Sequence, residues 1–268
     1  MSGSSVSALP VYQRVSANES TRITAFEKSD PQTRADIAYF TKHAPTLTTP
    51  DALLKDYRSL SIVLEAFGMK GAIRQPALLR KLMTEDPASK TSIAHRLANS
   101  TYLRFATAIG QFKAQPLTNQ AGVDAVIKAL GTQNFETAQN VQSPGMSDAL
   151  YFKRSIQSLT SITQLMADPR LLKVAQAATN MPDQFGTLDY NFQVKLLSKQ
   201  VTMKNFQNSA YVDKFVSRYI ALMSASTAIA LDTTGALAIL QSSGSSQNVL
   251  ATLLPQSQAD NVTLSLFA

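Results

Sequence analysis

The sequence contains no cysteine and no tryptophan, only two histidines, and only five glutamates. Without cysteine, disulfides, thiolate catalysis, zinc–thiolate sites and iron–sulfur ligation are all excluded. Neither His43 nor His95 has a second ligand at helical spacing, and no HExxH, EF-hand loop or Cys/His cluster occurs. Few carboxylates weaken any mechanism that needs a general acid and a general base of that type. GxSxG, GxGxxG and GxxxxGK[ST] are missing too, which leaves hydrolase-elbow, dinucleotide and P-loop readings without support. No catalytic, cofactor-binding or metal-ligating residue can therefore be nominated, and the sequence predicts a protein that is not an enzyme. An enzyme of unrecognised type would need a pocket holding perturbed titratable groups.

Glycine and proline are also sparse, 10 and 11 in 268 residues, too few for the turns of an all-β chain of this length. The most apolar stretch, Ala221 to Leu240, is interrupted by Asp232 and several hydroxyl residues. It falls short of the ~18 apolar positions of a membrane span. Residues 1–10 have neither a basic n-region nor an apolar run, so no cleaved secretory signal is expected. The net charge of +7 is spread evenly. Residues 51–113 hold ten Lys/Arg against five Asp/Glu, and residues 150–220 hold nine against four. A distributed surplus reads as a solvated surface. It also keeps open an alternative, a basic nucleic-acid-binding helical module, whose binding would weaken steeply with salt.

What is present is an internal repeat. Sliding the sequence on itself by 112 residues aligns Asp36–Met69 on Asp148–Met181 without gaps, with 11 of 34 positions identical. Unrelated segments would match at about two. The identities include Asp36/Asp148, Tyr39/Tyr151, Phe40/Phe152, Asp56/Asp168 and Arg58/Arg170. Asp56 and Asp168 each precede an apolar-periodic run, the place of an N-cap whose carboxylate accepts a free first-turn amide. Pro169 then stands where a missing N–H costs nothing. Leu60, Val63, Leu64 and Phe67 recur at i, i+3, i+4, i+7, the stripe of a half-buried helix. Gly68 and Asn180 occupy equivalent positions beyond it, and these residue types best tolerate the left-handed conformation that ends a helix. Asp30-Pro31 and Ser143-Pro144 both look like cap-then-proline starts. Arg58 and Arg170 read as surface residues, and the paired Tyr39-Phe40 and Tyr151-Phe152 as core rather than base-stacking platforms.

The predicted fold is all-α, a duplicated multi-helix unit of two pseudo-repeats with flexible N- and C-terminal segments. Helices are expected near 31–43, 50–55, 57–67, 76–84, 87–98 and 100–110. A connector over 118–130 stops at Gly131, and a long closing helix is followed by a short one near 233–241. The expected organisation is a flexible segment over 1–29, a first repeat over 30–131, a second over 132–241, and a linker and low-charge tail over 242–268. The tail reads as a frayed terminus folded back on the body; alternatively Leu264, Leu266 and Phe267, alternating with polar residues, are candidates for binding a protein partner by strand addition.

Leu53-Leu-Lys-Asp-Tyr-Arg-Ser-Leu60 through Ala66-Phe-Gly-Met69 resembles a family of uncharacterised, twice-repeated helical proteins of alphaproteobacteria. Its usual text runs L-x-D-x-R-L followed by A-x-x-A-x-G-L/M, and Leu165-Met-Ala-Asp-Pro-Arg-Leu-Leu172 is closer to it. Leu150-Tyr-Phe-Lys-Arg154 is similar to the family's ALYFER segment, with Lys153 where glutamate is usual. The resemblance covers about residues 30–240, and the tail after Gly244 departs from it. Members tend to be encoded among flagellar genes, and some are called flagellar basal-body rod proteins. Neither terminus here has the sustained heptads of an axial rod protein. The resemblance thus implies a flagellum-associated structural or assembly accessory protein acting through protein–protein contacts, with flagellar basal-body components as partners. It also implies a location in the cytoplasm or at the basal body, the latter reached by export without a cleaved signal.

Overall fold

The computed structural model describes residues 8–97, 99–109 and 117–242, with the side chains of Asp183 and of residues 226–242 left aside. Every regular element among the described residues is helical. The N-terminal helices are α1 (Ala8–Ala17), α2 (Glu19–Ser29) and α3 (Pro31–His43). Then come α4 (Pro50–Lys55), α5 (Tyr57–Ala66), α6 (Pro76–Thr84), α7 (Ile93–Arg96) and α8 (Ser100–Ile109). The remainder are α9 (Gln120–Gln142), α10 (Met146–Ser155), α11 (Ile162–Met166), α12 (Pro169–Thr179), α13 (Tyr190–Gln200) and α14 (Ser209–Ser242).

Local chemistry sets most of these ends. Asp30 accepts from the Thr33 amide, with Pro31 opening α3, and Thr49 caps α4 from the Ala52 amide with Pro50 next in line. Asp56 accepts from the Ser59 amide and hydroxyl at the start of α5. Asp168 accepts from the Arg170 and Leu171 amides at the start of α12. At the far ends Gly68 has φ +71° and Asn180 φ +54°. The next amides, of Met69 and Met181, reach back to the carbonyls of Leu64 and Gln176 at 2.7 and 2.9 Å. A helix closed in this way leaves fewer orphan carbonyls.

The chain divides into two compact units, Met1–Met223 and Ser224–Ala268. In the second, Ser224–Ser242 is helical backbone. The first unit holds two apolar cores. One gathers Phe40, Leu53, Leu60, Val63, Leu79, Phe105 and Val126 with their neighbours. The other gathers Tyr12, Phe135, Phe152, Leu165, Val174, Phe206 and Tyr219 with theirs. Helix α9 serves both, giving Val123, Val126 and Leu130 to the first and Phe135 to the second.

Several expectations need correcting. Residues 8–29 are not a flexible segment but form α1 and α2. Tyr12 and Val15, a turn apart on α1, are buried in the second core, and the Phe26 ring of α2 meets Phe135 edge-on at 5.8 Å. Ala8, Val11, Tyr12 and Val15 on α1 in fact form an i, i+3, i+4, i+7 stripe, whereas α2 has a weaker one and is held by tertiary burial. Helix α9 does not stop at Gly131 but continues to Gln142. A lone helical glycine costs only about 1 kcal/mol relative to alanine, and a Cβ at Gly131 would overlap the Glu27 side chain packed against it. Ser143 ends α9 rather than starting α10. The N-cap of α10 is Gly145 at φ +88°, whose amide donates to Asn140 Oδ1. The helix expected over 87–98 shrinks to Ile93–Arg96, and the closing pair is one helix, α14, with no proline to divide it. Residues 243–268, including Leu264, Leu266 and Phe267, lie outside the described residues.

Candidate functional site: an arginine-lined cavity around Tyr151

Helix α10 places Asp148, Tyr151 and Arg154 at three-residue intervals, on one face. The start of α12 adds Asp168 and Arg170, and α9 adds Glu136. Asp168 is 2% exposed and is used four times. Besides the two capping amides it accepts from the Tyr151 hydroxyl at 2.6 Å and from Ser100 Oγ at 2.6 Å. Ser100 opens α8, so this one carboxylate joins elements of the two cores.

Glu136 is 1% exposed and is neutralised by two guanidiniums. Arg154 Nη2 pairs with its Oε1, and Arg170 Nη2 donates to Oε2 at 3.1 Å. Each arginine has a second acidic partner. Arg154 Nη1 reaches Glu19 Oε1 at 2.8 Å, and Arg170 Nε reaches Asp148 Oδ1 at 3.0 Å. Arg170 Nη2 donates also to the carbonyl and hydroxyl of Ser147. Arg170 is thus no simple surface residue, since its planar fork is fixed on several sides. Three guanidinium carbons sit around the Tyr151 ring, Arg170 at 4.1 Å, Arg104 at 4.9 Å and Arg154 at 5.9 Å from its centroid.

The titrations follow from these surroundings. Burial pushes the Tyr151 phenol up to about 12; the Arg104 charge opposes this and the Asp168 carboxylate reinforces it. Burial alone would lower the Arg170 guanidinium, but Glu136 and Asp148 outweigh it and raise it. Burial raises the Glu19 carboxyl against the pull of Arg154.

In front of this network lies a cavity of about 320 Å³. Its lining includes Arg104, Lys128, Arg154, Arg170 and Tyr151, together with Ala66, Phe67, Ala125, Ala129, Thr132 and Gln133. A second hollow of about 300 Å³ shares Lys128 and Thr132 with it but includes Glu27 and Asp124 in its lining.

The same residue types, 112 positions earlier, meet in the first half. Arg58 Nη2 lies 3.5 Å from Asp36 Oδ1, its guanidinium stands 4.1 Å from the Tyr39 ring centroid, and the Tyr39 hydroxyl is 3.4 Å from Asp56 Oδ1. This cluster is looser: the Arg58 side chain is 52% exposed against 28% for Arg170. His43 stacks on Tyr39 with its Nδ1 at 2.8 Å from the Tyr39 carbonyl, and His95 Nε2 lies 2.9 Å from the Pro87 carbonyl. Both histidines are thereby tied to backbone. No group of three or more potential metal ligands occurs among the described residues. No described helix is long and apolar enough to cross a membrane.

The sequence pointed to Asp56, Gly68, Asp168 and Asn180; all four stand at helix ends, Asp56 and Asp168 within these clusters and Gly68 and Asn180 at the far ends of α5 and α12. It missed Glu136, Arg104 and Lys128. A usable signal for the ion pairs was present, because Asp36…Arg58 and Asp148…Arg170 repeat the same spacing.

Among solved structures, the fold is similar to the X-ray structure of protein AGR_C_984 from Agrobacterium tumefaciens, a structural-genomics target. The match has a TM-score of 0.71 at 22% identity, over 80% of this chain and 92% of that one. At that identity the likeness shows a shared fold. No curated protein matches the chain. The model of the family described as "Protein of unknown function (DUF1217)" matches residues 66–212, a span that contains every lining residue of the arginine cavity. With more than half of its length matched, the chain belongs to the DUF1217 family.

Proposed function

We propose that the protein acts by binding rather than by catalysis, as a flagellum-associated structural or assembly accessory protein working through contacts with other proteins. The observation that carries the non-catalytic part is that the acidic groups around Tyr151 are all engaged in structural contacts. Glu136, Asp148 and Asp168 accept from guanidiniums, hydroxyls and amides of neighbouring helices, an arrangement that fixes helices to one another. The Tyr12, Tyr151 and Tyr219 phenols are all raised by burial, so at neutral pH they stay protonated and are poor proton-transfer groups. The flagellar part rests on the resemblance of the Leu150–Arg154 and Leu165–Leu172 segments to proteins encoded among flagellar genes. We further propose that the two halves descend from one duplicated unit, supported by the matching Asp–Arg–Tyr–Asp contacts at an offset of 112 residues. Superposing residues 36–69 on 148–181 tests this, and unrelated chain paths would refute it.

The test of function is co-purification of the tagged full chain from its native cell under crosslinking. The proposal expects enrichment of flagellar basal-body components at the cytoplasmic face or in the basal body itself. One observation favours the alternative, nucleic-acid binding: the cavity is lined by four cations and no carboxylate. Nucleic acid as the main co-purifying species, released steeply by salt, would replace the first reading with the second.

A further inference from the structure

We propose that the cavity lined by Arg104, Lys128, Arg154 and Arg170 is a binding site for a small organic anion carrying a phosphate or carboxylate group. The inference does not depend on the flagellar reading. Four cations line the cavity and no acid does; of the carboxylates nearby, Glu136, Asp148 and Glu19 pair with Arg154 and Arg170, and Asp168 accepts from the Tyr151 hydroxyl. Those two guanidiniums are held in place before any ligand arrives, which lowers the ordering cost of binding. The other two cations are uncommitted. Among the described residues neither Arg104 nor Lys128 has an ion-pair partner for its side chain, and the Arg104 guanidinium stands over the face of Tyr151. A guanidinium with all its donors open beside two fixed ones suits the bidentate recognition of phosphate or carboxylate.

Phe67, Ala125 and Ala129 add apolar surface to the lining. The ligand that fits therefore has an anionic head and a compact carbon body. A cavity of about 320 Å³ stands at the small end of ligand pockets and would accept a metabolite-sized molecule. Its position matters as well. Arg104 belongs to α8 of the first core, and Arg154 and Arg170 to α10 and α12 of the second. A bound anion would tie the two cores together across α9, so binding should stabilise the folded chain.

The full-length protein tests this by titration with inorganic phosphate, phenyl phosphate and benzoate, read by amide shifts of Thr132 and Gln133 and by thermal melting. The expected result is saturable shifts confined to the cavity and a melting temperature that rises with ligand. Phenyl phosphate should bind more tightly than inorganic phosphate, and benzoate separates carboxylate from phosphate preference. Arg104→Gln and Lys128→Gln should each weaken binding about tenfold or more, as expected for loss of a charge-assisted contact. Arg34→Gln, an equal change of charge at an exposed position of α3, should have no effect. Far-UV spectra and melting of the unliganded variants establish that each is folded. Three results would overturn the proposal: no saturable shifts with any probe up to tens of millimolar, equal weakening by Arg34→Gln, or tight binding of a DNA oligonucleotide with no response to the small anions.

Discussion

Replacing Glu136 with glutamine removes the charge on which Arg154 and Arg170 converge. Each carboxylate oxygen accepts from one guanidinium, and Glu136 is 1% exposed. The glutamine carbonyl can accept from one arginine, but its NH2 then faces the other, donor against donor. One charge-assisted bond, with a net value of about 1.5–3 kcal/mol, is lost outright, and the surviving one is weakened. Full loss of a buried pair costs about 3–5 kcal/mol. Here the arginine side chains are 37% and 28% exposed, and each keeps a second carboxylate, Glu19 or Asp148. The expected loss is therefore about 2–4 kcal/mol. Urea unfolding at pH 7, followed by far-UV circular dichroism, reads it directly. A thermal melt should fall by roughly 2–4 °C for each kcal/mol at this chain length. A double-mutant cycle of Glu136→Gln with Arg154→Gln should give a coupling above about 1 kcal/mol, because the groups are in contact. A loss within about 0.5 kcal/mol, the range of ordinary surface substitutions, would refute the reasoning.

Other perturbations follow from the same geometry. Tyr151→Phe strips a 2.6 Å bond from buried Asp168 and should cost about 1–2 kcal/mol in urea melts, whereas Tyr39→Phe, with its 3.4 Å contact, should cost less than half as much. At Asp56, burial would raise the carboxyl, but the Ser59 amide and hydroxyl, His43 and Tyr39 together hold it below the ordinary carboxylate range. A lowered acid contributes stability above its unfolded pKa and loses it as pH falls through the folded value. The gap between wild type and Asp56→Asn should thus be full at neutral pH and vanish on acidification; a gap constant with pH would contradict this. Gly145→Ala forces a φ of +88° on a side-chain-bearing residue and brings its Cβ within 3.0 Å of the Tyr219 hydroxyl. Calorimetry should show it destabilised by more than the roughly 1 kcal/mol that positive φ alone costs, while Asn180→Gly should be neutral or mildly stabilising.

Much of the helical layout could be read from short-range chemistry. Asp30-Pro31, Thr49-Pro50 and Asp168-Pro169 are self-contained starts, and Gly68 and Asn180 self-contained stops, because a cap is decided by atoms within one turn. Where the controlling atoms lie far off in sequence, reading failed. Helix α2 is held by Phe26 meeting Phe135 more than 100 positions later, although the stripe of α1 was local and went unread, and the glycine within α9 at 131 makes room for Glu27. The site divides the same way. The Asp148–Arg170 pair was implicit in a spacing present twice. Nothing local marks Glu136 as buried, or predicts that Arg104 of one core should stand over Tyr151 of the other. Ser143-Pro144 misled because serine before proline is equally suited to ending α9.

The central functional claim is tested most directly by removing the gene from its native host and scoring swimming together with the number and morphology of flagellar basal bodies. The account predicts impaired motility with missing or incomplete basal bodies, restored by the intact chain. Wild-type swimming with a normal complement of basal bodies would contradict it.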